Sequence, residues 1–251
     1  MSDDERRAFH EALRGARVWD RGLAGFDTDD VPDQPLTLFR RWFVAAVAAG
    51  QEEPHAMTLA TADRAGHPDV RTLLLHDADA RGWHFASHAT SAKGRQLAER
   101  PWAALGFYWP AQGRQVRVRG RVLAAGPEES RADLGVRSTG ALAAALTGRQ
   151  SEVLGSAGEL ERASRAAWER ARTEPDAPAP TWTRYVLDAD EVEFFQGDAE
   201  RRHVRLRYRR TEGERASGRG PIPATDPVPA PAPAPAPAGT GGGWSRELLW
   251  P

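Results

Sequence analysis

The 251-residue chain has no cysteine. That excludes disulfides, thiol nucleophiles, zinc ribbons and Cys-ligated iron–sulfur clusters. Lysine is almost missing: of 34 basic residues only Lys93 is a lysine, and the other 33 are arginine. There is no apolar run of about 18 residues, the length that would suggest a membrane-spanning helix. The start, MSDDERRAFHEALRG, lacks the apolar stretch of a secretory signal. Neither sign of charge dominates, with a net charge of −1 and a pI near 6.7. No bulk attraction to nucleic acid or to an anionic membrane is therefore expected. Walker A, GxGxxG, HExxH and GxSxG patterns are absent. The histidines, at 10, 55, 67, 76, 84, 88 and 203, form no compact ligand pair beside a carboxylate. No metal site is expected, and the cytoplasm is the expected compartment.

What is present is a change of period along the chain. Residues 1–34 are polar and read as a partly disordered arm. Leu38, Phe39, Trp42, Phe43, Ala46 and Val47 then follow helical spacing up to Gly50. Strands are expected at 56–62, 70–76, 83–87, 103–109 and 114–123, with a turn at 63–66 and a short helix over 91–99. Residues 127–146 and 157–172 read as helices. Strands return at 183–187, 191–196 and 201–210. Grouped helices with many antiparallel strands point to a mainly β, α+β architecture, a barrel with attached helices. Residues 211–243 are rich in Pro, Ala and Gly, cannot build a core, and read as a disordered hairpin loop. The last segment, 244–251, carries two tryptophans and two leucines and reads as a strand returning beside 201–210. Loop closure costs grow slowly enough to tolerate such an insertion.

Two basic faces stand out. Period-2 counting places Arg201, His203, Arg205, Arg207 and Arg209 on one face, and Gln115, Arg117, Arg119 and Arg121 on another. The first invites an anion such as phosphate, which guanidinium grips through paired hydrogen bonds. The alternative is a solvated edge strand made basic against aggregation. Ser91 and Ser151 have no visible base partner and read as cap or turn residues.

Several ordered motifs resemble the pyridoxamine 5′-phosphate oxidase family. They run from Pro35-Leu36-Thr37-Leu38-Phe39 through Arg71-Thr72-Leu73-Leu74-Leu75, Lys93-Gly94-Arg95, Phe107-Tyr108-Trp109 and Arg149-Gln150-Ser151. They end at Glu193-Phe194-Phe195-Gln196-Gly197 and Arg201-Arg202-His203-Val204-Arg205. The resemblance spans 31–210 and 244–251. It implies a split β-barrel over 35–210, completed by 244–251, that binds FMN at a homodimer interface. Carried over by position, the FMN contacts would be Arg71, Ser87, Lys93, Gln115, Gln150, Ser151, Phe195 and Arg205. Arg201 and His203 would be catalytic, meeting the substrate over the flavin ring.

The substrate-phosphate positions depart from the family's Lys, Tyr, Arg and Ser. They are His76, Asp133, Arg137 and Ala141 here, so only the arginine is kept. The resemblance implies an FMN-dependent oxidase of pyridoxamine or pyridoxine 5′-phosphate, giving pyridoxal 5′-phosphate and H2O2. The weakened clamp leaves two alternatives open. One is an oxidase of a reduced heteroaromatic intermediate, similar to the phenazine-biosynthesis branch. The other is a non-catalytic flavin or deazaflavin carrier.

Overall fold

The computed structural model describes residues 2–16, 22–211 and 243–251. Helix α1 (Asp3–Gly15) opens with a capping box in which Ser2 and Glu5 satisfy each other's backbone amides; none of its residues is buried. Residues further along the expected arm do dock. Phe26 meets Trp42 edge-on at 4.9 Å. Tyr208 donates to the Pro32 carbonyl at 2.7 Å, and Arg246 to that of Val31 at 3.0 Å.

Helix α2 (Pro35–Ala48) starts with proline in its first turn, where no amide is needed, and buries Leu38, Phe39, Trp42 and Ala46. That face plugs the sheet. Phe39 packs edge-on against Phe107 at 5.0 Å and Trp83 at 5.7 Å, and Trp42 against Phe194 at 5.2 Å. Such pairs add roughly 0.5–1.5 kcal/mol beyond area burial.

The strands are β1 (Ala56–Ala62), β2 (Pro68–Leu74), β3 (Asp77–Asp79), β4 (Gly82–His88), β5 (Trp102–Trp109), β6 (Arg114–Ala124), β7 (Trp182–Gln196), β8 (Val204–Arg210) and β9 (Trp244–Leu249). They form one antiparallel sheet in the order β2-β1-β5-β6-β7-β4-β3, with β8 and β9 continuing from β7. β7 is the branch point. One of its sides pairs with β6 along most of its length. The other pairs with β4 through 182–187 and then with β8 through 191–196. This hand-over splits the barrel, so the fold is a split β-barrel with attached helices. The two strands expected at 183–187 and 191–196 are one, bent by a bulge opposite Arg119 and Gly120. A Cβ on Gly120 would lie 1.9 Å from the Asp188 carbonyl oxygen, so the bulge needs glycine there.

Helix α3 (Ala92–Glu99) is capped by Ser91, as the sequence suggests. The single helix expected over 127–146 is instead two, α4 (Pro127–Gly135) and α5 (Thr139–Thr147). The Ser138 hydroxyl caps α5 and restarts the helix. Helix α6 (Ala157–Thr173) packs on α5. The strand expected over 201–210 begins only at Val204. Asp198 sets up a turn there, its carbonyl accepting from the Arg201 amide and its carboxylate from the Glu200 amide. β9 pairs with β8 from Arg210 opposite Trp244 to Arg205 opposite Leu249. Most of the Pro/Ala/Gly-rich segment lies outside the described residues. Its flanks meet, with the Thr211 amide donating to the Gly243 carbonyl at 2.9 Å.

Two deletions are expected to separate these roles. Removing 244–251 strips a paired strand and the buried Trp244, over which Arg210 stacks at 5.1 Å. Loss of a core tryptophan alone costs about 3–5 kcal/mol. Replacing 214–240 with a short turn leaves the denaturation midpoint unchanged or higher, since each doubling of loop length costs only about 0.6 kcal/mol. Equal losses in urea titrations of the two proteins would refute this division.

Candidate active site

Three groups of side chains gather the residues singled out from the sequence. The first lies where β4 runs into α3. Lys93 sits in the first turn of α3 with its side chain buried. Its ammonium donates to Ser87 Oγ at 3.2 Å and to Gln150 Oε1 at 2.9 Å. Ser87 Oγ donates to the same Gln150 oxygen at 3.1 Å, and Ser151 Oγ accepts from the Ala92 amide at 3.1 Å. Arg71 closes the group from the edge strand β2, held by Thr61 Oγ1 at 2.6 Å, Gln96 Oε1 at 3.0 Å and Asp69 at 2.6 Å. Burial first, and then the Arg71 charge, pushes the Lys93 pKa below its ordinary value. Both are relieved by an anion, which the helix N-terminus also favours. Arg71, Lys93, Gln150 and Ser151 line one open cleft.

The second group is a row across three strands. Gln115 on β6 stands opposite Phe195 on β7, which stands opposite Arg205 on β8. The neighbouring row, Val116, Phe194 and Leu206, is core, so this one faces outwards. His203 packs against Phe195 with ring centroids 5.2 Å apart. The Asp198 amide donates to His203 Nδ1 at 3.0 Å, which assigns the ring hydrogen of a neutral imidazole to Nε2. Arg201 is in the turn before the strand, with φ of 67°. It does not share the strand face with Arg205, as period counting had placed it. Among the described residues only Glu53, Ser151 and Arg201 are non-glycine residues with positive φ. Two of them are expected site residues, and such strain, costing about 1–3 kcal/mol each, collects at functional positions.

The basic face of β8 meets carboxylates of its own sheet. Glu193 pairs with Arg205 at 2.8 Å and Arg117 at 2.5 Å, while Glu247 pairs with Arg207 at 2.9 Å. Nor is β8 an edge, because β9 covers it. The solvated-edge reading of that face gives way to a charge ladder across the sheet.

The third group is the cleft between β2, α4 and α5, lined by His76, Asp133, Arg137 and Ala141. Asp133 and Arg137, one helical turn apart, form a two-pronged pair: Nε to Oδ2 at 2.9 Å and Nη2 to Oδ1 at 2.7 Å. Burial pushes the Asp133 carboxyl up, but the Arg137 hydrogen bonds and charge outweigh it, and its pKa lies below the usual value. His76 Nδ1 accepts from Arg137 Nη2. Burial and the Arg137 charge push its pKa down to about 4. The ring keeps an exposed edge, which softens the burial effect; the guanidinium against Nδ1 is the firmer reason that the imidazole is neutral.

Sequence reasoning missed the residues that hold these groups in place. Thr61 and Gln96 carry Arg71 without any local motif to mark them. Arg184 braces Asp133 at 3.9 Å and donates to His84 Nδ1, whose Nε2 meets Asp79 at 2.7 Å. The sequence suggested no metal ligands, yet Asp77, Asp79 and His84 bring ligand atoms within 4.8 Å of one another. Both nitrogens of that imidazole are already engaged, one of them by a cation.

Gly94 is the most sensitive position in the first group. A Cβ there would lie 2.3 Å from the Ala89 carbonyl oxygen and 2.5 Å from that of His88. Gly94→Ala is expected to displace the start of α3, lower the melting temperature and weaken anion binding together. Calorimetry and a phosphate titration check it; an unchanged protein would show that the backbone there yields freely.

Comparison with known proteins agrees with this fold. Residues 43–195 match the family model for pyridoxamine 5′-phosphate oxidase. Residues 182–251 match that for the pyridoxine 5′-phosphate oxidase C-terminal dimerisation region. A pyridoxine/pyridoxamine 5′-phosphate oxidase of Pseudomonas fluorescens is 45% identical over 188 residues, 74% of this chain and 87% of that protein. One from Ectopseudomonas mendocina is 44% identical over 187 residues, again 74% and 87%. Among solved structures, PhzG from Burkholderia lata, in complex with tetrahydrophenazine-1-carboxylic acid, superposes with a TM-score of 0.75. It is 28% identical and is matched over 91% of this chain and 99% of its own. With its split barrel and matches over most of its length, the chain belongs to the pyridoxamine 5′-phosphate oxidase family.

Proposed function

We propose that the protein is an FMN-dependent oxidase, working as a cytoplasmic homodimer, that oxidises a carbon attached to a heteroaromatic ring and reduces O2 to H2O2. The relatives' names point to pyridoxine or pyridoxamine 5′-phosphate as substrate. For pyridoxine 5′-phosphate the alcohol carbon loses two hydrogens to become the aldehyde, and O2 gains them.

The observation that carries the reading is Lys93. A buried ammonium held by two neutral oxygens, with no ion pair to a carboxylate among the described residues, requires an anion. Its neighbours are those a phosphate monoester takes: Arg71, two serine hydroxyls and a helix N-terminus. The donor set therefore fits the FMN phosphate. When bound, FMN supplies the two-electron acceptor. Gln115 offers an amide to its polar ring edge, and Phe195 an apolar contact. His203, protonated on Nε2, and Arg201 orient the substrate.

These residues lie on opposite sides of the sheet. Arg71 stands in register with the core residues Leu59, Leu105 and Val118, whereas Gln115, Phe195 and Arg205 face outwards. One FMN cannot touch both sets of a single chain, so a second copy completes the site. The matched dimerisation region contains Phe195, His203 and Arg205. A second reading, oxidation of an unphosphorylated ring, is favoured by the Asp133–Arg137 pair.

The purified protein is expected to carry one FMN per chain. Lys93→Ala removes a charged contact worth about 1.5–3 kcal/mol and so lowers FMN affinity about 10- to 150-fold. Mixing Lys93→Ala chains with Arg205→Ala chains regenerates one intact site in each mixed dimer. Fluorescence titration and light scattering test this. Unaltered FMN affinity in Lys93→Ala, or tight FMN binding by a monomer, would overturn the reading.

A further inference from the structure

We infer that the cleft beside α4 and α5 is built for a substrate without a phosphate group, and that Asp133 is the specificity-determining residue that makes it so. The inference rests on the oxidase reading above and names its substrate class: an unphosphorylated heteroaromatic ring.

The argument is one of charge and of which donors remain. A phosphate monoester carries about −1.5 to −2 near neutral pH. It is held by a surplus of cations, most effectively by two parallel bonds from one guanidinium. In the cleft, the Nε and Nη2 edge of Arg137 already makes both bonds to Asp133. Its Nη2 also reaches His76, a neutral acceptor that adds no charge. The second guanidinium, Arg184, stands 3.6 Å from Glu129 and 3.9 Å from Asp133. With Asp77 also in the lining, two guanidiniums face three carboxylates, and the wall has no surplus of cations.

A phosphate could take the Nε and Nη2 edge of Arg137 only by expelling Asp133, and the Nη1 and Nη2 edge only by displacing His76 and sitting beside that carboxylate. That carboxylate has a side chain only 8% exposed and also accepts from Trp182 Nε1 at 3.5 Å. Expelled from Arg137, it would be a buried charge beside a dianion, and both contacts are costly. The one hydroxyl in the lining, that of Ser138, is neutral and brings no charge to replace the guanidinium. The Ser138 hydroxyl caps α5 through the Ala141 amide, and Ala141 presents a methyl group.

The same chain shows what an anion site looks like when it has one. Lys93 meets only neutral acceptors, in the first turn of a helix, and the cleft's carboxylate, Asp69, pairs with Arg71 rather than with Lys93. The first cleft keeps one cation, Lys93, beyond its carboxylate, whereas in the second every guanidinium faces a carboxylate, so they are matched to ligands of different charge. What the second offers is the Trp182 ring, Leu75, Val136 and Ala141 around a satisfied polar pair, which suits a planar, uncharged ring.

The test uses FMN-loaded dimer and the matched probes pyridoxal and pyridoxal 5′-phosphate, which differ only in the phosphate. Calorimetric binding is measured alongside oxidation of pyridoxine and pyridoxine 5′-phosphate. The wild type is expected to bind the phosphorylated probe less than about tenfold more tightly than the other, or not to bind it. Asp133→Asn frees the guanidinium while keeping an acceptor of the same shape. It is expected to raise the preference for phosphate at least about tenfold, through KM rather than kcat. A wild-type preference above tenfold, or an Asp133→Asn protein whose preference does not move, would overturn the inference. If that variant does not fold, the wild-type ratio alone decides. Failure to oxidise any ring would count against the oxidase reading instead, because the binding ratio reports on Asp133 without turnover.

Discussion

Everything in the site hangs on β7 changing partners halfway along its fifteen residues. Through 182–187 it holds β4, and so Ser87 and the approach to Lys93; Trp182 and Arg184 project from the same stretch towards Asp133. Past the bulge it holds β8, with Phe195 in register with Arg205. An unbent strand would keep one partner for its whole length. The bulge exists because Gly120 lets β6 approach the Asp188 carbonyl more closely than any side chain permits. A single backbone contact therefore sets the spacing between the anion group, the cleft and the outward row.

Charge is arranged around that frame in two ways. Where the sheet faces outwards, arginine and glutamate alternate across strands: Arg117, Glu193, Arg207 and Glu247 stand in register from β6 to β9. Exposed pairs of this kind contribute little individually, about 0–1 kcal/mol. Glu193 is different. It is buried and shared by Arg117 and Arg205, so it fixes the direction in which Arg205 points. Lys93 is the opposite case, a buried cation left without a counterion. An arginine-writing chain that keeps one lysine keeps it where a compact ammonium, rather than a planar fork, fits between two neutral oxygens.

Much of this was legible in the sequence. Alternation of apolar residues marked β1, β5, β6 and β8, because each has one face on the core. Helical spacing marked α2, and Ser91 marked the start of α3. The break at residues 136–138 was not legible, since no proline interrupts 128–146 and the Ser138 cap separates the two helices. Nor was the continuity of β7, because Asp188 and Asp190 opened a gap before the strand expected from Glu191. In the structure they sit at a bulge where Arg210 and Arg119 meet them. The charge ladder was invisible for a similar reason. Period-2 counting gives a face, but not what stands opposite it on the next strand.

The two strained residues tie the halves of the site together. Ser151 belongs to the Lys93 group and Arg201 to the outward row, and each holds a backbone conformation that its side chain disfavours. Glycine would relieve the strain at either position, but would remove a hydroxyl beside the anion group or a guanidinium beside His203. The turn around Asp198 holds Arg201 in place through backbone bonds, and the Ala92 amide holds Ser151. Each strained residue is thus fixed by its own local network. In the proposed dimer, two copies would need only bring the halves together to form a site whose parts are already in position.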